Sequence, residues 1–421
     1  MIQAAVPQTR KATQMPASAY KLREVNVKGS TRYTQQEILA AAGLELGQQV
    51  SDDDFKRAAQ QLGETGAFSD VAYSFQFAPD GTKLEWTLQD NGQLVPAKFD
   101  NFVWFTDDEL KQRLRTRVPL FDGRLPATGG LADQISDALQ AMLLERKLPG
   151  HADYMRAAVG EDAITAVVFS VSNVDIQIRK VGFTGAGPKE VPALEKAAVK
   201  IVGQAYQRSI LQVESEKDLL PVYEAQGYLK ATVGDAQPTV VEQNADTTVV
   251  DVTFPVDPGR QYTLTGVTFS GNTAFPTDRL KAFIHEKTAE PANAVALSED
   301  VEQIRRLYRT KGYMAAEIQT VPAFDEEKSA ASFDLTVHEG DVYHMGDLDV
   351  RGLDDRTASK VDYLWELRGG AVYDASYFKR FVPQLKDVIK LGDWEIHLFE
   401  SVNAKDHTVD VTLHFDPHPR G

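Results

Sequence analysis

Apolar positions along the chain repeat one irregular spacing. Four segments place apolar residues two, three and two positions apart, with a glycine two further on. They are Tyr20, Leu22, Val25, Val27 and Gly29; Ile176, Ile178, Val181, Phe183 and Gly185; Tyr262, Leu264, Val267, Phe269 and Gly271; and Tyr343, Met345, Leu348, Val350 and Gly352. Alternation by twos marks a strand with one buried face. The step of three breaks it, as a β-bulge or the junction with a preceding module would. A degenerate further copy fits at Leu94, Ala97, Phe99 and Asn101, with Asn in the glycine place. Asn is the next-best residue for a left-handed backbone, so the exchange has a physical basis. The markers at 29, 101, 185, 271 and 352 lie 72, 84, 86 and 81 residues apart. Such steps are too long for a solenoid repeat and suit a small domain.

Helical periodicity follows each of these strands. Thr34, Thr106 and Thr357 stand five residues after the marker, each expected to open a helix. Thr34 with Glu37 and Thr106 with Glu109 have the capping-box spacing, which satisfies orphaned backbone N–H groups. A turn then carries a glycine, two residues, an apolar residue and a polar cap: Gly47, Val50, Ser51; Gly203, Tyr206, Gln207; Gly370, Tyr373, Asp374. In the fourth copy Ala294 is placed in the glycine position, ahead of Leu297 and Ser298. A second helix follows, with apolar residues on one face: Phe55, Ala58, Ala59, Leu62; Ile135, Leu139, Met142, Leu143; and Phe378, Phe381, Val382, Leu385, Val388, Ile389. The third copy, around Leu219, Val222 and Tyr223, is less regular. Helix ends are predicted at Gly66, Gly227, Gly312 and Gly392, each close to an aromatic that starts a strand.

Two strands close each copy. The last alternates cleanly at Leu84, Trp86, Leu88; Val250, Val252, Phe254; Phe333, Leu335, Val337; and Val409, Val411, Leu413, Phe415. Pro79-Asp80-Gly81 is a strong hairpin signal between the two strands of the first copy. The predicted fold is α+β: five tandem β-α-α-β-β modules, each a three-stranded mixed sheet covered by two helices, in an elongated array. Predicted boundaries are 1–19, a disordered leader; modules at 20–91, 92–174 (divergent), 175–258, 259–340 and 341–417; and a tail at 418–421.

Composition removes several function classes. The chain has 421 residues, no cysteine and a net charge of −16. Without cysteine there is no disulfide, thiolate metal site or cysteine nucleophile. An acidic chain lacks the clustered Lys and Arg that a phosphate backbone requires, so no nucleic-acid partner is expected. No Gly-Lys-Ser or Gly-Lys-Thr occurs, and Gly182, Gly185 and Gly187 are in the wrong order for a dinucleotide turn. No Gly-x-Ser-x-Gly elbow is present. Asp52, Asp53 and Asp54 follow Ser51 and read as complements to a helix dipole. His407 and His414 lie an odd number of residues apart, which a strand would send to opposite faces; with His418 they read as solvent-exposed rather than metal-binding. No apolar run is long enough for a membrane-spanning helix, and the N-terminus has no apolar stretch of the signal-peptide kind. The expectation is a binding protein with no catalytic residues, no metal and no cofactor.

The ordered set resembles the POTRA domain. The features that carry the resemblance are the first strand ending near Gly271-Asn272 and the second helix ending in Gly227-Tyr228 or Gly312-Tyr313. It extends over about residues 20–417, weakest in the second copy. It implies the periplasmic part of a BamA-like barrel-assembly factor, associated with the outer membrane, or the POTRA part of a secretion transporter. The chain stops where the family's membrane barrel would begin, so it reads either as the part ahead of such a barrel or as a free-standing envelope scaffold. The implied partners are unfolded outer-membrane proteins and assembly accessory proteins. The resemblance also makes the third strand central and the second an open edge, able to take an extended peptide by main-chain pairing. Candidate edges are 71–77, 229–235, 314–321 and 395–399. The first choice is Leu229, Lys230, Ala231, Thr232, Val233 and Gly234; the alternative is an ordinary edge protected by Lys230, Asp235 or Pro238. Gly29, Gly185, Gly271 and Gly352 are assigned to backbone turns and not to a ligand.

Overall fold

The computed structural model describes residues 16–159, 163–244, 246–388 and 394–416. Residues 1–15 of the expected leader, Ile389, Gly392, His418 and the tail at 418–421 lie outside the described residues. Ala17–Tyr20 form a single 3-10 turn, so residues 17–19, expected in the disordered leader, are part of a defined element with Tyr20. Ala19 is buried and its carbonyl accepts from Thr82 Oγ1 at 2.7 Å, which ties this turn to the first sheet.

Among the described residues five sheets succeed one another along the chain. In the first, Gly81–Asp90 runs centrally, parallel to Leu22–Lys28 and antiparallel to Phe68–Ala78. The same order joins Asp175–Thr184, Thr247–Asp257 and Gln237–Gln243 in the third sheet, which also takes Thr232–Val233 as a fourth strand where three were expected. It recurs in Thr263–Ser270, Ala330–His338 and Glu317–Asp325, and in His344–Arg351, Thr408–Asp416 and Glu395–Asn403. The second sheet keeps this core as Leu94–Phe99, Ala163–Ser172 and His151–Val159, but has four strands where three were expected. Its extra strand, Arg124–Pro126, is three residues long and so carries no readable alternation.

The step of three in the first strands is a β-bulge. Register shifts fall between Leu22 and Glu24, between Leu264 and Gly266, and between Met345 and Leu348. The bulge turns one carbonyl away from the ladder, and the turn before the second helix uses it. Gly47 N donates to Leu22 O at 2.7 Å, Gly203 N to Ile178 O at 2.7 Å, and Gly370 N to Met345 O at 2.7 Å. In the fourth module the donor is Ala289, to Leu264 O at 2.8 Å. Ala289, not Ala294, therefore holds the glycine place, with a left-handed φ of 68°. Ala294 begins the helix Ala294–Arg309, capped by Asn293. Leu297 and Ser298 mimic the apolar-plus-cap pattern near the start of that helix, whereas the true apolar residue and cap are Ala292 and Asn293.

The strand-end glycines answer to one contact. A Cβ on Gly29, Gly185, Gly271 or Gly352 would stand 2.2, 2.1, 2.2 and 2.1 Å from a carbonyl oxygen of the central strand. Asn101 does not substitute for them by adopting a left-handed backbone: it is absent from the residues of positive φ. Its amide instead pairs with the central strand, donating to Val171 O at 2.9 Å and accepting from Val171 N at 2.7 Å.

Helix starts depart from the sequence expectation at two places. Asp354, not Thr357, caps Asp355–Leu364, taking the N–H groups of Arg356 and Thr357 at 3.1 Å. Thr106 caps Asp107–Arg117, but Glu109 turns to Arg113 and Arg146 and does not close a box. The irregular third-copy helix is Arg208–Glu214, a π turn at Ser215–Leu219, and Leu220–Glu224. At the end of the last helix, Tyr377–Val388, Phe381 and Leu385 are buried while Val388 is exposed, so the apolar face is shorter than its sequence pattern.

The chain divides into two compact units. One holds the first and second sheets and most of the third; the other holds the fourth and fifth with the remaining parts of the third. In the first unit one continuous core runs from Leu22 to Val171, so the first two modules do not have separate cores. Their helices also meet end to end: Gly130 N donates to Glu64 O at 2.8 Å and Leu131 N to Thr65 O at 3.2 Å. The helix Leu131–Glu145, which has no side-chain cap, thereby finds acceptors at the end of the preceding module's helix. In the second unit the fourth and fifth sheets have cores of their own.

Candidate functional site: the open sheet edges

Because the last strand of each module is central, the second strand is left with one partner and one free side. Phe68–Ala78 and Glu395–Asn403 contain the candidate edges at 71–77 and 395–399, whereas Glu317–Asp325 starts three residues into the candidate at 314–321, whose Met314, Ala315 and Ala316 lie before the strand. These free sides offer backbone N–H and C=O groups to an extended chain.

The third module departs most from expectation. Its edge strand is Gln237–Gln243, not 229–235. Of the six residues chosen from sequence, Thr232 and Val233 form a two-residue strand that pairs antiparallel with Asp257 and Val256. Leu229 and Lys230 lie in a turn, and Ala231 is buried. Gly234 N donates to Pro255 O at 2.8 Å, and the chain then leaves the ladder until Gln237. The interruption is anchored by Ala236, which is buried and whose carbonyl accepts from Tyr206 Oη at 3.2 Å. A Gly at 234 and a small Ala at 236 were the only signals for this break.

Lys230 is committed elsewhere. Its ammonium pairs with Glu326 and sits 4.3 Å from the centre of the Phe324 ring. Tyr262 Oη donates to the same carboxylate at 3.0 Å, and Arg260 donates to Glu326 O at 2.9 Å. The hydrogen bond to Glu326 raises the Lys230 pKa, and the bonds from Lys230 and Tyr262 lower that of Glu326. Lys230 thus pins the third-module turn to the fourth module's edge strand. Gly227 lies at the same junction, its carbonyl accepting from Tyr262 N at 2.8 Å. Gly312 O does the same for Tyr343 N at 2.8 Å, so the Gly-Tyr helix ends are joints to the following strand.

The edges also differ in their protection. Pro238 sits inside the third edge and Pro322 inside the fourth, each removing a backbone donor. The strands Phe68–Ala78 and Glu395–Asn403 have no proline. On the last, Phe399 is 59% exposed, far more than a core side chain.

The side chains weighed for chemistry have ordinary partners. Asp54 closes a capping box with Ser51, which holds its carboxyl below the usual range. His407 lies in a turn at φ 50°, not in the strand, and reaches Asp341 at 3.5 Å. His414 is bonded to Asp416 at 3.0 Å. Among the described residues no group of three His, Asp or Glu side chains is arranged to hold a metal ion.

The class defined by this fold is a tandem set of β-α-α-β-β modules with open strand edges. A family model described as POTRA, surface antigen variable number repeat, matches residues 20–89 and 262–340. Over those residues, in the first and fourth modules, the chain is similar to POTRA domains. It is 26% identical over 223 residues, 52% of the chain, to a Treponema pallidum (strain Nichols) protein named as an outer membrane protein assembly factor. It is 22% identical over 186 residues, 40% of the chain, to the outer membrane protein assembly factor BamA of Neisseria meningitidis serogroup B. The matches take in 26% and 23% of those proteins, so the chain spans about a quarter of the curated relatives' length. Among solved structures it is similar to POTRA3–5 of Haemophilus influenzae BamA, with 17% identity, a TM-score of 0.44, and coverage of 57% of this chain and 95% of that one.

Proposed function

We propose that this chain is the periplasmic, outer-membrane-associated part of a barrel-assembly or translocation factor. It binds unfolded barrel polypeptides and accessory proteins by accepting them as added strands, and it acts as a binding array rather than a catalyst. The observation that carries this reading is the repeated sheet order, which leaves the second strand of each of the first, third, fourth and fifth modules as a free edge. Main-chain pairing is nearly blind to side chains, which suits many unfolded clients. The POTRA match and the names of the relatives support the assembly role. The module boundaries proposed from sequence go with it, except that residues 17–19 join the first module.

In the third module, Gln237–Gln243 is one proposed surface and Thr232–Val233 is proposed as another, each by itself. The test is capture of a urea-diluted, unfolded outer-membrane barrel polypeptide by the purified chain. Proline placed at Thr232 and, separately, at Val240 is expected to weaken capture. Unchanged capture by both variants and by the equivalent variants in the other edges points to a scaffold that handles no substrate.

A further inference from the structure

Within the second unit, a cleft of about 660 Å³ opens between the helix Ala294–Arg309 and the edge strand Glu395–Asn403. Leu398, Phe399 and Glu400 all line it. Successive residues of a strand point to opposite faces, so a cleft that meets three in a row faces the strand's edge and its free backbone groups. Phe283, Leu307 and Leu398 give it an apolar floor, and all three are half-buried. Its walls are held in place by an ion pair: Arg309 Nη2 lies 2.6 Å from Glu400 Oε2, and Tyr373 Oη donates to Glu400 Oε1 at 2.7 Å. Glu400 is therefore already neutralised.

The other two charges in the cleft are not. Arg306, on the helix Ala294–Arg309, and Lys379, on the helix Tyr377–Val388, both line the cleft and are exposed, and neither side chain has an ion-pair partner among the described residues. In a chain of net charge −16, two unpaired cations facing one apolar cleft favour an occupant of opposite sign.

We infer that this cleft binds an extended polypeptide segment in which acidic residues alternate with bulky apolar ones. The segment adds to the free edge of Glu395–Asn403, sets an apolar side chain on the Phe283–Leu307–Leu398 floor, and directs carboxylates to Arg306 and Lys379. This rests on the edge-addition reading above, and gives one edge a sequence preference that backbone pairing alone lacks.

The test uses the full chain and a fluorescein-labelled octapeptide alternating Val or Phe with Asp, with analogues carrying Asn or Lys in place of Asp. Binding is followed by anisotropy, and amide exchange is read over Glu395–Asn403. The Asp peptide is expected to bind and protect those amides, and the Lys analogue to bind at least about tenfold more weakly. The double variant Arg306→Glu, Lys379→Glu is expected to lose about tenfold or more for the Asp peptide and little for the Asn analogue. Both substitutions are on exposed side chains, and an unchanged unfolding midpoint establishes that the variant is folded. Equal binding of Asp and Asn peptides, or an unaffected double variant, overturns the acidic preference while edge addition stands. No amide protection with any of the three peptides overturns strand addition at this edge.

Discussion

Gly352 and Gly370 make a controlled pair. They lie in the same module with the same φ of 83°, yet their surroundings differ completely. A Cβ at Gly370 meets nothing within 4 Å, whereas at Gly352 it stands 2.1 Å from Phe415 O. An alanine held left-handed costs about 1–2 kcal/mol, and loss of glycine's freedom in the unfolded chain returns about 0.4–1 kcal/mol. Gly370→Ala should therefore destabilise by about 1 kcal/mol. Gly352→Ala carries the same term and a steric one. Its contact must open by about 1 Å to reach a normal separation, which pulls the first strand from the central one where Val350 pairs with Leu413 and Arg351 with His414. Losing two ladder hydrogen bonds at about 1 kcal/mol each brings the total to about 3 kcal/mol. The assay is amide exchange over Thr408–Asp416 in the full chain, compared among wild type and both variants. If the two variants agree within about 0.5 kcal/mol, the argument from the close carbonyl is refuted.

Three further outcomes are expected. Ala289→Gly relieves a left-handed alanine and should stabilise the fourth module by about 0.5–1 kcal/mol, read as slower exchange over Ala330–His338. Asp107→Asn leaves Arg208, 24% exposed and held by both Asp107 oxygens at 2.8 Å, without its charged acceptor. It should destabilise the first unit by about 1–2 kcal/mol in urea, and an unchanged midpoint would count against the pair. His285 is raised in pKa by its hydrogen bond to, and the charge of, Asp300, which also accepts His285 N at 2.8 Å; the neighbouring Glu286 adds to it. A raised folded pKa gives stability that is full below the ordinary histidine value near ~6.5 and lost as pH rises through the folded one. Wild type should therefore exceed His285→Asn in thermal midpoint by more at about pH 5.5 than at about pH 8.5; equal differences would remove the histidine from the account.

What the sequence revealed depended on whether a structural demand was met by side-chain periodicity. The bulged first strands and the alternating last strands were legible because every second side chain must be apolar to reach the helices. Gly29, Gly185, Gly271 and Gly352 were legible because no other residue tolerates a carbonyl at 2.1–2.2 Å. Asn101 showed the limit of that logic. Its amide supplies by side chain what a strand supplies by backbone, so the substitution kept the pairing and abandoned the conformation. Ala289 showed the converse, keeping the conformation without the residue that prefers it.

The edge in the third module failed for a third reason. An edge strand has only half its neighbours, so its pattern is weak, and here the chain enters it through two paired residues, a break and a proline-bearing strand. Lys230 looked like an edge-protecting charge and is in fact a fastening between modules. That changes where binding should be sought. An edge whose lysine is tied to Glu326 and whose strand holds Pro238 has fewer free groups to offer than Glu395–Asn403, which has no proline and two unpaired cations across a cleft. Equivalent topology therefore does not make the edges equivalent receptors. The modules share a backbone plan, and what stands opposite each free edge decides which chains it can hold.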